Sequence, residues 1–311
     1  MGHLPSASPL ASAALHRFCQ LTAGATFVLI IAGALVVGNG AGLAVPDWPL
    51  SFGTWMPPMV GGVFYEHGHR MIATAVGIFT TVLAFWLWRA EPRRWVRRLG
   101  WIALGAVVLQ GVLGGVTVLY KLPTAIVVGH ACLAQLFFCL ALSLAVFTGP
   151  HWNLAAPLVE DRRSPSFRQL AAAASGALFV QLALGAALRH QALEVIPHLI
   201  GAGAVCVLVG WVVLRAMTQL PEQQPLQRLA VTMGILLIVQ LTLGGVSYFT
   251  RLAQDGRAGL DPVMIWTTTA HVAVGAVVLG TSWVLTLLSF RRLAAPQLAA
   301  SLHHSPQKSP A

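Results

Sequence analysis

The sequence predicts an all-α integral membrane protein: eight transmembrane helices arranged as two tandem four-helix bundles, related by a pseudo-twofold axis along the membrane normal. Three observations lead there: the composition, the spacing of apolar runs, and an internal repeat. The 311 residues are 57% apolar and only 9% charged, with a mean hydropathy of +0.75. Soluble domains carry roughly 25% charged residues, so a soluble two-domain chain of this length is excluded.

A membrane span needs about 20 apolar residues, and eight runs qualify, at about 17–37, 66–88, 99–119, 124–147, 168–188, 195–216, 228–249 and 264–289. The first is too long for the apolar part of a signal peptide and reads as a retained helix. The expected organisation is an N-terminal cytoplasmic tail (1–16), a first half (17–148), a cytoplasmic linker (149–167), a second half (168–290) and a disordered cytoplasmic tail (291–311). That last tail is rich in Pro, Ser and Ala, and its His303 and His304 read as solvated.

Charge sets the orientation. Of 19 Lys and Arg, all but Arg70, Lys121, Arg189, Arg251 and Arg257 fall on the termini and on the loops of one side, with Arg89, Arg93, Arg94, Arg97 and Arg98 in a single turn. Cytoplasmic loops carry the excess of positive charge, so both termini are expected in the cytoplasm. The net charge of +10 is accounted for by this asymmetry, and a nucleic-acid partner is not implied. The cysteines Cys19, Cys132, Cys139 and Cys206 lie in or beside apolar runs without a C-x-x-C pair. They read as packed thiols, not a disulfide framework.

The repeat is visible in the third and seventh spans, VLQGVLGGVTV (108–118) and IVQLTLGGVSY (238–248). FVQLALGAALR (179–189) keeps the same Gln and Gly spacing, while FVLIIAGALVV (27–37) keeps the glycine and places Leu29 where the others have Gln. Gly33, Gly114, Gly185 and Gly244 are thus equivalent, either as small residues that let helices approach closely or as room for a flat macrocycle. Spans one to four repeat as spans five to eight in the same order and orientation, a parallel repeat.

Under this repeat His69 corresponds to His198 and His130 to His271. A charged group inside a span costs roughly 2.5–3.5 kcal/mol on insertion scales, so four such side chains in symmetric register need a reason. Paired axial ligation of haem iron supplies one, and facing histidines in a four-helix bundle are a standard cofactor cage. Zinc fits poorly, because the second half offers no nearby Cys, Asp or Glu.

The two halves differ most over residues 38–70, GNGAGLAVPDWPLSFGTWMPPMVGGVFYEHGHR, a long Gly- and Pro-rich outer loop whose Trp48 and Trp55 are placed for the membrane interface. It ends in Glu66-His67-Gly68-His69-Arg70. Glu66 and His69 are i and i+3 and share a helix face. Glu66 can serve as a base beside the ligand or cap the start of the helix. The second half has Val195 in that place and keeps the histidine, so one half has an acid and the other does not. His67 faces away from His69 and reads as an interfacial side chain. His190 has either a structural role or a propionate contact. Arg70, Arg189 and Arg251 suit either propionate contacts or interface anchoring.

These features resemble the haem A synthases over about residues 17–290: the tandem repeat, the GLAVPDWPL loop, EHGHR opening the second span, and one histidine each in spans four, six and eight. The resemblance implies a bacterial inner-membrane oxidoreductase that converts the C8 methyl of haem O to a formyl group for haem-copper terminal oxidases. It implies His69 and His130 as ligands of the substrate haem, His198 and His271 as ligands of a resident haem B, and Glu66 as the essential acid. Implied partners are haem O, haem O synthase, terminal oxidase assembly, an electron donor and the lipid bilayer. Many bacterial relatives carry a Cys pair in the first outer loop. Here Ala44 and Ser51 stand in those places, so no thiol–disulfide step passes through this loop. Two competing readings use the same residues: a di-haem cytochrome that carries electrons, and a haem or solute transporter. The first has no use for the Glu66–Val195 asymmetry, and the second is disfavoured by the nearly apolar cytoplasmic halves of the spans.

Overall fold

The structure is a computed structural model and describes residues 9–153, 159–161, 163–254 and 261–294. Arg162, Arg257, Lys308, His303 and His304 lie outside them. The eight spans form helices α1 (Pro9–Gly38), α2 (Gly62–Ala90), α3 (Arg94–Leu119), α4 (Thr124–Thr148), α5 (Phe167–Arg189), α6 (Val195–Gln219), α7 (Gln224–Gln254) and α8 (Pro262–Arg292). All eight are long and apolar enough to cross a membrane, and the chain is a multi-pass membrane protein. In the hydrocarbon core every backbone N–H and C=O must be satisfied within its own segment, which is why apolar runs of this length are helical. Apolar side chains such as Ile102, Val108, Ile200 and Val207 are exposed on the outside of the bundle, where lipid takes the place of protein neighbours.

Several helices outrun their apolar runs. α1 begins at Pro9 and not near 17, and α7 continues to Gln254. Hydropathy marks the thickness of the bilayer, whereas i→i−4 hydrogen bonds continue for as long as nothing interrupts them. The tail expected to be disordered from 291 is ordered through 294: Leu293–Ala294 (β2) pairs in parallel with Val159–Glu160 (β1) from the linker. The linker also carries a single helical turn, Pro150–Asn153.

Buried polar ties hold that linker. The Asp161 carboxylate accepts from the Phe167 amide and pairs with Arg215 Nη2 at 3.3 Å. Arg215 Nη1 donates to the Pro165 carbonyl. Ser166 and Gln169 form a reciprocal capping box at the start of α5, satisfying two otherwise orphaned helix donors.

Within the first half α1 packs on α2 and α4, α2 on α3, and α3 on α4; α5 to α8 repeat the same cycle. The halves meet through α1 with α8, α4 with α5, and α4 with α8. Each half has its own apolar core, around Val76, Leu83 and Leu87 in the first and Val209, Val212 and Met233 in the second. A small cluster of Ile30, Phe138 and Ala276 fills the seam. The arginine-rich half of the bundle is less apolar than expected. Ser175 Oγ hydrogen-bonds Ser282 Oγ at 2.8 Å and Thr286 Oγ1 at 2.9 Å, and Trp283 Nε1 donates to Ser143 Oγ at 2.8 Å. These buried hydroxyls satisfy one another across α4, α5 and α8, as buried polar groups must.

Candidate functional site

Each of the four repeat glycines faces one of the four histidines. A methyl on Gly33 (α1) would lie 3.2 Å from His69 Cε1 on α2, and one on Gly114 (α3) 3.5 Å from His130 Cε1 on α4. In the second half, methyls on Gly185 (α5) and Gly244 (α7) would each come within 3.0 Å of Cε1, of His198 on α6 and of His271 on α8 respectively. A methyl on each of these glycines would meet the Cε1 side of an imidazole from the next helix. These contacts are compatible with both sequence readings of the glycines.

In the second half each ring also meets the Gln four residues before its glycine. His271 Nδ1 donates to the Gln240 carbonyl at 3.1 Å. His198 Nδ1 instead lies 3.1 Å from the Gln181 amide nitrogen, which also donates to the His198 carbonyl at 2.9 Å. His69 Nδ1 and His130 Nδ1 are buried and fall short of hydrogen-bond geometry. A ligating histidine typically gives its second N–H to a carbonyl, which fixes the tautomer and leaves Nε2 for the metal. The Gln181 and Gln240 amide nitrogens lie 3.4 and 3.3 Å from Nε2 of His198 and His271. All four histidines are half-buried.

The donor set fits a flat metallomacrocycle. The His198 and His271 ring centroids are 6.5 Å apart. A metal–imidazole bond of roughly 2 Å on each side, plus about 1 Å from nitrogen to ring centre, calls for centroids roughly 6 Å apart. No group of three or more His, Cys, Asp or Glu suited to a bare metal ion occurs among the described residues. Two imidazoles without further protein ligands suit an ion whose other positions are filled by its own macrocycle.

The surroundings of the two pairs differ. Glu66 is buried, with Oε2 accepting from Val45 N–H at 2.8 Å and Oε1 from Arg70 Nη2 at 2.6 Å. It does not cap α2, which starts a turn earlier after Gly61; there φ is 54°, a left-handed turn that glycine tolerates. Arg70 Nη1 donates to the carbonyls of Asp47 at 2.8 Å and Leu50 at 2.9 Å. Asp47 in turn accepts from the Phe52 and Gly53 amides at 2.7 and 2.8 Å, and those amides hold its carboxyl below the usual carboxylate range. His67 is buried, not interfacial, and its Nδ1 shares a 2.8 Å hydrogen bond with Ser51 Oγ. One turn of α2 thus pins the 45–51 loop through Glu66, His67 and Arg70. Periodicity carries no sign of these ties, but a His and an Arg flanking a candidate ligand beside a long ordered loop were a usable hint.

Arg189 is placed otherwise. It ends α5, reaches within 3.7 Å of a methyl built on Gly38 of α1, and its buried Nε has no partner. Thr269 Oγ1, two residues before His271 on α8 and beside the same Gly38, is likewise buried without a partner. Arg251 is exposed. His190 ends α5, its backbone N–H bonded to the carbonyls of Ala186 and Leu188, and partial burial, then the Arg189 charge, lowers its pKa below the ordinary imidazole value. All four cysteines are free, Cys19 and Cys139 buried and Cys132 and Cys206 half-buried.

Residues 60–197 match the family described as cytochrome oxidase assembly protein. The matched segment holds Glu66, His69 and His130 and stops one residue before His198, so the second pair rests on the internal repeat. A protein named Heme A synthase from Geobacillus kaustophilus is 30% identical over 138 residues, 43% of this chain and 44% of the relative. Another of that name, from Roseobacter denitrificans, is 35% identical over 137 residues, 40% of this chain and 35% of the relative. A third, from Brucella anthropi, is 30% identical over 155 residues, 46% and 42% of the two chains. The matched segments cover less than half of these relatives. The chain is thus similar over residues 60–197 to the cytochrome oxidase assembly proteins, and over less than half of its length to proteins named Heme A synthase.

Proposed function

We propose that this chain is a haem A synthase, oxidising the C8 methyl of haem O to a formyl group. The observation that carries the reading is the His198–His271 pair, whose rings lie 6.5 Å apart, each seated on a repeat glycine. In this reading His198 and His271 hold a resident haem B, and His69 and His130 hold haem O. The halves are two four-helix units, 17–148 and 168–290, related by a pseudo-twofold axis along the membrane normal, which the matching helix contacts favour. The termini are cytoplasmic, in a bacterial inner membrane, as the arginine-rich turns suggest.

Haem supplies the redox chemistry once bound. The protein's own groups hold and orient. The seating glycines, with Gln181 and Gln240 in the second half, orient the imidazoles, and Glu66 places a carboxylate one helical turn from His69, where it takes up or returns a proton as the methyl is oxidised. Two hydroxylations of the methyl, each consuming one dioxygen, two electrons from the required electron donor and two protons and releasing one water, would give a gem-diol, which loses a further water to the aldehyde. Arg189, whose buried Nε has no partner, suits a propionate; Arg70, already committed to the loop, suits one less well, and exposed Arg251 is a peripheral candidate. Haem O synthase, oxidase assembly and an electron donor are the partners this activity requires. The di-haem electron carrier has no specific observation in its favour, since it has no use for a buried acid in one half only.

The test is direct. Haems extracted from a host that makes haem O, with and without this chain, should contain haem A by mass only when the chain is present. Haem O unchanged in both would overturn the proposal.

A further inference from the structure

Trp48 lies in the middle of the pinned loop. Arg70, the residue after His69, holds the carbonyls of Asp47 and Leu50 on either side of it. The indole lies on Gly115 of α3: a methyl built there would meet Trp48 Cδ2, Cε2 and Cε3 at 2.6, 2.8 and 2.9 Å. Three atoms around the ring fusion at nearly one distance mean that the face of the indole, not its edge, rests on the backbone. Gly115 directly follows Gly114, the seat of His130. Trp48 therefore bridges α2, which carries His69, and α3, whose Gly114 faces His130 of α4. It is still 41% exposed, although one face is covered, so it does not serve only as the interface anchor its sequence position suggested. The second half has no counterpart. Nothing lies within 4 Å of a methyl built on Gly245, the equivalent of Gly115, and residues 190–194 between α5 and α6 contain no tryptophan.

We infer that Trp48 is a positioning residue of the first-half site, its free indole face forming the wall against which a flat tetrapyrrole stacks. The inference rests on the bis-histidine reading above. Offset aromatic stacking adds to area burial, and a wall fixed through Arg70 and Gly115 sets the macrocycle's height and tilt relative to both ligands. The second half, which in this reading retains its haem without transforming it, has no such wall.

The test uses full-length protein purified from a host making haem O, with haem loss followed by transfer to an excess of apomyoglobin. The first-half haem is recognised as haem O plus haem A, and the second-half haem B is the internal control. Trp48→Ala should speed loss of the first-half haem roughly 3- to 10-fold, the order of one aromatic contact, and shift its Soret band. Trp48→Phe should restore most of the retention, which a loop that was merely unfolded would not allow. Gly115→Ala should mimic Trp48→Ala by displacing the indole, and the double variant should be no worse than either single, as expected when one contact is removed twice. Gly245→Ala should leave both haems as in wild type. If Gly115→Ala does not accumulate, the Ala and Phe variants of Trp48 decide alone. Loss of first-half haem at the wild-type rate in Trp48→Ala, or no recovery in Trp48→Phe, would overturn the inference while leaving the function standing. A wild-type protein with haem B but no haem O or haem A would instead remove the function reading, and this inference with it.

Discussion

At His69, the residue three before the histidine is Glu66 and the residue after it is Arg70, and both reach into the 45–51 segment of a loop that runs from 39 to 61. At His198 the same places hold Val195 and Leu199, and the loop is only residues 190–194. The glycine seat beneath each ring is the same in both. The glycine facing each imidazole is the feature repeated four times. A carboxylate, a guanidinium and a loop tied to both are extra to it. A repeat separates what is needed to bind from what one copy has added, and the additions mark the half where chemistry is proposed.

The largest expected effect breaks that inequality. Glu66→Gln keeps an acceptor for the Val45 N–H but loses the charge that pairs with Arg70. If Glu66 handles protons, the variant should retain both haems yet form haem A about 10²–10⁴-fold more slowly, with the alcohol accumulating, as measured by mass of extracted haems. Wild-type turnover would leave Glu66 as a loop anchor only and favour the electron-carrier reading.

A smaller effect sharpens the shared part. Methyls on Gly185 and Gly244 would each come to 3.0 Å from an imidazole carbon, whereas one on Gly114 would make ordinary contact at 3.5 Å. Gly185→Ala and Gly244→Ala should each cost roughly 1–3 kcal/mol, as overpacking does, read as lost or high-spin second-half haem in the absorption spectrum. Gly114→Ala should leave the first-half spectrum intact. Equal damage at all three positions would mean that the glycines serve helix packing more than ring seating.

The smallest expected effect is none at all. With Ala44 and Ser51 in the pinned loop and all four thiols in or beside the spans, haem A formation should be insensitive to thiol-blocking reagents that do not cross the membrane. Clear inhibition would place a redox step on a cysteine that the structure leaves free.

The helices and the histidine pairs were legible in the sequence because both are periodic: apolar runs recur at bilayer length, and the Gln–Gly spacing recurs in α3, α5 and α7. The helix ends were not, since Pro9–Arg17 and Thr250–Gln254 continue the helix without continuing the hydropathy. The strand pairing of Val159–Glu160 with Leu293–Ala294 was equally hidden, being two residues long on each side. In the candidate site, the register of the four histidines was readable and their surroundings were not. The Ser51–His67 hydrogen bond, the Arg70 clasp on two carbonyls and the face of Trp48 on Gly115 join residues whose pairing depends on how one aperiodic loop folds back. Leu29, standing where the other three repeats have Gln, was visible in sequence; its consequence, that the His69 seat lacks the amide beside His198 and His271, needed coordinates.

The claim that the halves hold different haems for different purposes is tested most directly by purifying His69→Ala and His198→Ala from a host making haem O and identifying the haems each retains by mass. The account predicts that His69→Ala keeps haem B and lacks haem O and haem A, whereas His198→Ala loses haem B. If both variants lose the same haem, or if His69→Ala loses haem B and keeps haem O, the assignment of the two halves is contradicted.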